Sequence, residues 1–357
     1  MKIHIEKAGP DRLREKPAGD QALGFGKIFS DHMFLMDYRD GKGWMNPRIV
    51  PYGPLSLLPT AVVLHYAQEI FEGLKAYYAK DGGICLFRPE RNAERMNRSA
   101  SRLCMPAVPV EDQLQAIEAL VRIDKDWIPR AGGASLYIRP TMIATESALG
   151  VHPSSDYIYF IVTGPVGAYY ARGFEPVSIL VEENYIRATR GGLGEAKTGA
   201  NYAASILAAK EAKAKGFDQV LWLDAERRRF VEEVGTMNIF FVFNGELVTP
   251  PLSGSILAGV TRDSVIQLAK DWKIPVLERP VEIDEVIRRA EDGSLTEAFG
   301  SGTAAVISPV GAFSFRGKEA KIGDGKVGEL SRRFYDTITG IQYGLVEDRH
   351  RWVRRVE

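Results

Sequence analysis

One lysine stands in a glycine-rich segment just ahead of a predicted helix, in the sequence GGLGEAKTG from Gly191 to Gly199. A phosphate-cradling loop requires G-x-x-x-x-G-K-S/T, but Ala196 stands where the second glycine must let phosphate approach the backbone. Lys197 also fits a Schiff-base lysine, whose amine must be unprotonated to attack a carbonyl and so belongs in a partly desolvated site. The strand VLWLD at residues 220–224 imitates the acidic metal-binding strand of nucleotide hydrolases, so both alternatives stay open.

A carboxylate that suits the Schiff-base interpretation precedes an apolar strand. Glu233 lies in EEVGTMN, directly before the strand at residues 239–243. A pyridoxal ring requires an acid at its ring nitrogen, because the protonated ring then acts as an electron sink. An acid at this place is otherwise a satisfied strand-end residue.

Three further patterns could bind a cofactor phosphate. Four arginines, at 91, 95, 98 and 102, form a stripe along one helix face. Such a stripe is usually solvated, yet a phosphate needs only one arginine together with backbone donors. Gly259-Val260-Thr261 can supply those donors at a helix N-terminus, and the small-residue turn from Gly300 to Ala304 offers others.

Composition excludes several other classes of protein. The chain has 46 Lys+Arg and 46 Asp+Glu, so it lacks the overall basic charge of a nucleic-acid or anionic-membrane binder. The most apolar stretch, residues 157–171, is too short to span a bilayer. The charged N-terminus lacks an apolar signal region and the two cysteines are not in a C-x-x-C motif, which predicts a cytoplasmic protein without a signal peptide. Five scattered histidines predict no metal site.

The elements that must position these residues are a mixture of strands and helices. A length of 357 residues at ~150 per domain predicts two domains. Strands mixed with helices, without strict alternation, indicate an α+β fold. We expect strands within 25–78 and at 157–163, 177–181, 219–224 and 239–243, and helices opening at Pro89 and spanning 113–127, 200–215, 261–272, 283–290 and 328–341. Gly and Pro after residue 164 place a linker at 168–178, between domains at 1–167 and 179–357.

Nine segments in order carry a family resemblance. They are FGKIFSDHMF, HYAQEIFEGLKAY, FRPERNAERMNRSA, SLYIRP, GPVGAYY, AKTGANYAAS, EEVGTMNIFFVF, ILAGVTRDS and FGSGTAA. Together they resemble the branched-chain amino acid aminotransferases, which are pyridoxal-phosphate enzymes of fold type IV. The resemblance implies a smaller N-terminal α/β domain and a larger cofactor-anchoring C-terminal domain with a barrel-like sheet.

The resemblance also implies roles for individual residues. Lys197 would be the Schiff-base lysine and proton shuttle, Glu233 would pair with the pyridine nitrogen, and Tyr202 with the phenolic oxygen of the ring. The phosphate would be bound by Arg95, Val260, Thr261 and Thr303. The substrate α-carboxylate would meet Thr303, Ala304 and Tyr66 of a partner subunit, and Arg139 would accept the distal carboxylate of glutamate. The pocket walls would be Phe25, Phe71, Tyr137, Tyr169 and Thr236, with Leu149 and Val151 at a dimer interface.

The implied reaction is reversible ping-pong transfer of an amino group between leucine, isoleucine or valine and 2-oxoglutarate, through pyridoxal 5′-phosphate, in a homodimer or larger homo-oligomer. Ala305 and Ser308 stand where the animal branch carries a redox-sensitive C-x-x-C, so no thiol switch is expected. The alternatives within the fold are a D-amino-acid transaminase or a lyase, against which EVGTMN and FEGLKAY argue. The alternative outside it is the nucleotide-binding protein that Lys197, Thr198 and Asp224 suggest.

Overall fold

The computed structural model of the chain describes residues 1–17, 19, 23–167 and 173–356. These residues form two units. The first contains the described residues of 1–171, 196–199 and 340–357, and the second contains those of 172–195 and 200–339.

The strands and helices alternate irregularly along the chain, as the sequence predicts for an α+β fold. The strands are β1 (His4–Ile5), β2 (His32–Arg39), β3 (Gly43–Pro51), β4 (Glu69–Phe71), β5 (Leu74–Tyr78), β6 (Ile84–Phe87), β7 (Ser135–Ala144), β8 (Asp156–Val166), β9 (Val177–Val181), β10 (Gln219–Leu223), β11 (Val231–Val234), β12 (Met237–Phe243), β13 (Glu246–Thr249), β14 (Val276–Glu278), β15 (Leu295–Gly302), β16 (Val306–Phe315), β17 (Lys318–Lys321) and β18 (Val353–Val356). The helices are α1 (Val62–Tyr66), α2 (Pro89–Arg102), α3 (Val110–Ile123), α4 (Gly199–Ala214), α5 (Val260–Asp271), α6 (Ile283–Glu291) and α7 (Glu329–Gln342).

The first unit is built on one sheet with α2 and α3 packed against each other. Its strand order is β1-β3-β2-β8-β7-β5-β6-β18, and β4 pairs with β7. Helix α2 begins at Pro89, whose fixed φ and missing N–H suit the first helical position. In α3 the apolar stripe of Leu114, Ile117 and Leu120 is buried, as its helical spacing predicts. Helix α2 carries the candidate residue Arg95, β4 carries Phe71, and β7 carries Tyr137 and Arg139.

The second unit contains a closed six-stranded barrel, in agreement with the expected barrel-like sheet. Its strands run in the order β11-β10-β9-β16-β15-β12, and β12 pairs back with β11 to close the ring. Every residue of β12 is buried, which explains the apolar run at residues 239–243. The indole of Trp222 is buried against Ala208 and Ala212 of α4 and donates a hydrogen bond to the Gly235 carbonyl at 2.8 Å. The barrel therefore fixes the start of β12 and the end of β11, where Glu233 lies.

The two units and the expected domains divide the chain differently at two places. Residues 340–357 group with the first unit, because β18 pairs with β6 in a register that sets Val353 opposite Phe87. Residues 196–199, which include Lys197, also group with it. The expected linker at 168–178 lies partly outside the described residues, and the functional division into domains stays a prediction. Across the described residues, no helix is long and apolar enough to cross a membrane.

Candidate active site

The backbone around Lys197 is held on both sides by the first unit. The Lys197 amide donates to the Ser99 hydroxyl at 2.9 Å, and its carbonyl accepts from the Phe71 amide at 3.0 Å. The next two residues bind Glu69: the Thr198 hydroxyl donates to its carbonyl at 2.7 Å and the Gly199 amide to its carboxylate. Burial raises the pKa of Glu69, although the hydrogen bond from the Gly199 amide and the charge of Arg139 act in the opposite direction. The glycine-rich segment thus presents its lysine from a fixed backbone.

Phe71 separates two cations. The Lys197 Nζ lies 4.7 Å from the centre of the Phe71 ring, and the Arg139 guanidinium carbon lies 4.6 Å from it. Arg139 also donates from Nη2 to the Tyr137 hydroxyl at 2.9 Å. The Tyr137 ring packs edge-on against the Phe25 ring, with 5.0 Å between the two ring centres. The structure therefore brings together five of the residues that the sequence predicted for the site.

Arg139 carries an unused donor in this aromatic surrounding. Its Nε is buried and has no hydrogen-bond partner among the described residues. A buried N–H without an acceptor is costly, since it has lost its water without replacement. An anionic group supplied by a substrate would satisfy it.

Gly73 provides the space that Tyr137 occupies. A Cβ atom on this residue would lie 2.1 Å from the Tyr137 hydroxyl oxygen. The glycine of FEGLKAY is therefore required by close packing, since its φ is not in the left-handed region.

Lys75 is a buried lysine of this unit that the sequence motifs did not single out. It lies in β5 opposite Tyr137 of β7, and burial lowers its pKa to about 8. The available signal was a lysine inside a strand whose neighbours Leu74 and Ala76 are core residues. A buried amine with a lowered pKa is a functional candidate in its own right.

Arg95 is the buried member of the predicted arginine stripe. It is 4% exposed, whereas Arg91, Arg98 and Arg102 are exposed on the surface of α2. Its Nε and Nη2 donate to the two carboxylate oxygens of Glu72 at 2.7 and 2.9 Å. Burial alone would raise the pKa of Glu72, but the charge and hydrogen bonds of Arg95, together with Lys197 and Asn92, outweigh this and hold the pKa below its usual value. Arg95 is therefore a fixed cation on an otherwise solvated helix face.

Glu233, in the second unit, is a buried carboxylate in contact with a backbone amide and an arginine. Its Oε1 accepts from the Leu257 amide at 2.8 Å, and its Oε2 lies 3.2 Å from the Arg187 Nε, although the angle between them is too poor for a hydrogen bond. The Arg187 Nη2 donates to the Ser255 carbonyl. Arg187 has no distinguishing sequence signal, because nothing in YIRATR separates its first arginine from the second.

The neighbouring carboxyl, Glu232, has a different environment. Its Oε1 accepts from the Ser255 hydroxyl, whereas its Oε2 is buried without a hydrogen-bond partner among the described residues. Burial raises the pKa of Glu232. Alternation along β11 turns the two side chains to opposite faces. Of the two, Glu233 is the one in contact with a charged side chain, that of Arg187.

Other predicted residues of the second unit lie at turns and helix starts. Val260 and Thr261 are the first two residues of α5, where Gly259 is the N-cap and offers no side chain to cap the helix. A Cβ on Gly259 would lie 2.0 Å from the Asn238 Oδ1, so the close approach of the chain requires glycine. The remaining candidates comprise one residue near the start of α4 and three in turns, namely Tyr202, Thr236, Thr303 and Ala304, of which Thr236 is exposed and the others are half-buried.

The predicted interface residues lie together on the surface of the first unit. Tyr66, Leu149 and Val151 are exposed, and the Tyr66 hydroxyl donates to the Leu149 carbonyl. Tyr169 lies outside the described residues.

The nucleotide-binding alternative does not fit this geometry. A phosphate loop needs free backbone donors around its lysine, but the Lys197 amide is bound to Ser99. Asp224 accepts from the amides of Arg227, Arg229 and Phe230 at 2.6–2.8 Å, and so closes a turn. Its carboxylate is not available as the acidic strand-end ligand of such enzymes.

Comparison with known proteins identifies the family. Residues 69–313 match the model of the amino-transferase class IV family. The chain is 54% identical to branched-chain-amino-acid aminotransferase 2 of Bacillus subtilis over 343 residues, which cover 96% of this chain and 94% of that one. The branched-chain amino acid aminotransferase of Escherichia coli has a similar structure, with a TM-score of 0.76 and 27% identity over 92% of this chain and 99% of that one. The branched-chain amino acid aminotransferase of Thermobaculum terrenum, in its PLP-form, matches with a TM-score of 0.73 and 27% identity over 91% and 98% of the two chains. The chain therefore belongs to the class IV aminotransferases and, among them, to the branched-chain-amino-acid aminotransferases.

Proposed function

We propose that the protein reversibly transfers the amino group of leucine, isoleucine or valine to 2-oxoglutarate, using pyridoxal 5′-phosphate and the residues described above. The observation that carries this proposal is the surrounding of Arg139. Aromatic rings of Phe71 and Tyr137 flank it, yet its Nε lacks an acceptor among the described residues. Such a surface accepts an aliphatic side chain in one half-reaction and a distal carboxylate in the other.

The residues present suit the cofactor. Pyridoxal 5′-phosphate supplies a carbonyl for imine formation and a protonated ring that withdraws electrons from the reacting carbon. The chain offers a fixed lysine at 197, a buried and ion-paired carboxylate at 233, and an uncapped helix start at Val260 and Thr261. An amine, an acid and an anion site of this kind are the three groups that the cofactor requires.

Lys197 is the proposed base. Its backbone is fixed, and its Nζ contacts the face of the Phe71 ring. The amine can thus take the α-proton of the substrate and return it at a neighbouring carbon. Glu233 holds the proton of the ring nitrogen, and Arg187 stabilises the ionised carboxylate that this task requires.

The other roles follow the same chemistry. Tyr202 is proposed to donate to the phenolic oxygen of the ring. Arg95, Val260, Thr261 and Thr303 are proposed to bind the phosphate, since an arginine and helix-terminal amides are its usual donors. Thr303 and Ala304 are proposed to bind the substrate α-carboxylate, with Phe25 and Thr236 as further pocket walls. Tyr169 is proposed as another wall.

We also propose that two copies of the chain form a homodimer in the cytoplasm. Three exposed residues of the first unit support this, namely Tyr66, Leu149 and Val151, because large apolar side chains exposed together are typical of an interface. The partner subunit's Tyr66 would then complete the carboxylate site. Analytical ultracentrifugation tests the assembly, and a monomeric, fully active enzyme would contradict it.

One trapping experiment tests the core of the proposal. The purified enzyme, loaded with pyridoxal 5′-phosphate, is reduced with borohydride and the labelled peptide is identified. We expect the label on Lys197 and a visible band that shifts when leucine is added. Lys75 is the informative competitor, because its pKa of about 8 also leaves part of that amine unprotonated near neutral pH. Label on Lys75, or no label, would overturn the assignment.

A further inference from the structure

A bidentate ion pair fixes Arg95 from one side. Glu72 is 1% exposed and directs one carboxylate oxygen at Nε and the other at Nη2 of Arg95, at 2.7 and 2.9 Å. The remaining lone pairs of Oε2 accept from the Asn92 amide group at 2.9 Å and from the Gly73 amide at 3.1 Å. Planar, two-point pairing of this kind sets the plane and the direction of a guanidinium.

Stability alone is a poor explanation for this pair. Burying two charges costs several kcal/mol of desolvation, and apolar residues of similar volume are often equally stable. The ion pair of Arg91 and Glu94 on the same helix, at 3.1 Å, lies on the surface instead, where such a pair contributes little to stability. A buried and fully bonded pair is more typical of a site that must hold a charge in one orientation.

The position of the pair on α2 links it to the lysine. Arg95 and Ser99 are one helical turn apart, and the Ser99 hydroxyl binds the Lys197 amide. The charge of Lys197 also acts on Glu72. One helix therefore sets both the cation and the backbone of the reactive lysine, and Glu72 is the group that orients the cation.

We propose that Glu72 is a positioning residue for the cofactor phosphate: it holds the Nε–Nη2 edge of Arg95 and so directs the rest of the guanidinium to the phosphate. This inference rests on the proposed function, in which Arg95 binds that phosphate. Glu72 itself, being an anion, does not touch the phosphate.

The test compares two ligands that differ only in the phosphate. Dissociation constants of pyridoxal 5′-phosphate and of pyridoxal are measured by absorbance for the wild type, Glu72→Gln, Glu72→Asp and Arg95→Gln. We expect both Glu72 variants to weaken binding of the phosphorylated ligand by about 10- to 100-fold, as loss of an orienting partner typically does, with pyridoxal nearly unchanged. Glu72→Asp matters because it keeps the charge but withdraws the carboxylate from Arg95.

Two further variants separate positioning from other effects. Glu94→Gln removes the exposed partner of Arg91 on the same helix, and we expect wild-type binding of both ligands. In an Arg95→Gln background, Glu72→Gln should change the ratio of the two constants no further, because Glu72 acts through Arg95. Circular dichroism and thermal unfolding identify a variant that has not folded, and Glu72→Asp then carries the comparison.

The outcomes distinguish this inference from the proposed function. If wild type binds both ligands equally, or Arg95→Gln keeps the preference for the phosphate, the assigned role of Arg95 fails. If Arg95→Gln removes the preference but both Glu72 variants retain it, only the role of Glu72 fails. Tighter binding of the phosphorylated ligand by Glu72→Gln would show that Glu72 acts as a repulsive charge, which also overturns the inference.

Discussion

Arg187 lies 3.2 Å from the buried carboxylate of Glu233, from Nε to Oε2. This pairing separates Glu233 from the adjacent Glu232, whose Oε2 has no hydrogen-bond partner among the described residues. Two carboxyl groups next to each other in β11 thus have different surroundings. Arg187 is in contact with Glu233, whereas at Glu232 burial raises the pKa despite the hydrogen bond from Ser255 and the attraction of Arg187.

Glu233→Gln should lower kcat/KM for leucine by about 100-fold or more, because a neutral amide cannot keep the ring nitrogen protonated. Glu232→Gln is a matched control: it removes an equally buried carboxylate from the same strand, and we expect activity within a few-fold of wild type. Steady-state transamination of leucine with 2-oxoglutarate measures both. Equal losses in the two variants would show that β11 tolerates neither change, and the assignment of Glu233 would lose its support.

Lys197→Ala should abolish transamination, with a loss of at least about 1,000-fold, while the protein stays folded. The side chain contributes a contact with the Phe71 ring, whereas the bonds to Ser99 and Phe71 come from the backbone, which alanine retains. Single-turnover assays and thermal unfolding check the two parts. Lys80→Ala, an exposed lysine of the same unit, serves as the control. Substantial turnover by Lys197→Ala would direct attention to Lys75.

Arg139→Gln should discriminate between the two half-reactions. We expect kcat/KM for glutamate to fall by about 10- to 100-fold, since a hydrogen bond to a charged group contributes about 1.5–3 kcal/mol, and kcat/KM for leucine to change little. The control is Arg130→Gln, because Arg130 also stacks on an aromatic ring, 4.2 Å from the centre of Tyr78, but on an exposed surface. Parallel losses for glutamate and leucine would indicate a structural role for Arg139.

The sequence predicted the elements well because their signals are local. Strand β9 occurs at residues 177–181 as expected, and the start of α2 follows from Pro89. Helix α5 begins one residue before its predicted start at Thr261. The apolar spacing of a single helix or strand suffices for predictions of this kind.

Contacts between distant segments could not be predicted in the same way. Periodicity places four arginines on one face of α2, but only the fold shows that Arg95 meets Glu72 from β4–β5. The same holds for Arg187, whose partner Glu233 is 46 residues away, and for residues 340–357, which join the first unit through β18. For Lys75 the sequence shows a lysine between two apolar residues of a strand, but only the fold shows that the amine itself is buried.

Lys75→Met should change the pH dependence of stability. Burial lowers the Lys75 pKa from 10.5 to about 8, so the folded protein binds this proton less tightly than the unfolded chain does. The stabilising contribution of the neutral amine is therefore complete above pH 10.5 and is lost as the pH falls through 8, a difference of about 3 kcal/mol. Relative to wild type, the methionine variant should gain most stability at pH 7 and progressively less toward pH 10.

Thermal unfolding at a series of pH values measures this difference in stability, with Lys80→Met as an exposed control that should show none. A constant offset between Lys75→Met and wild type across that range would mean that Lys75 keeps an ordinary pKa in the folded protein.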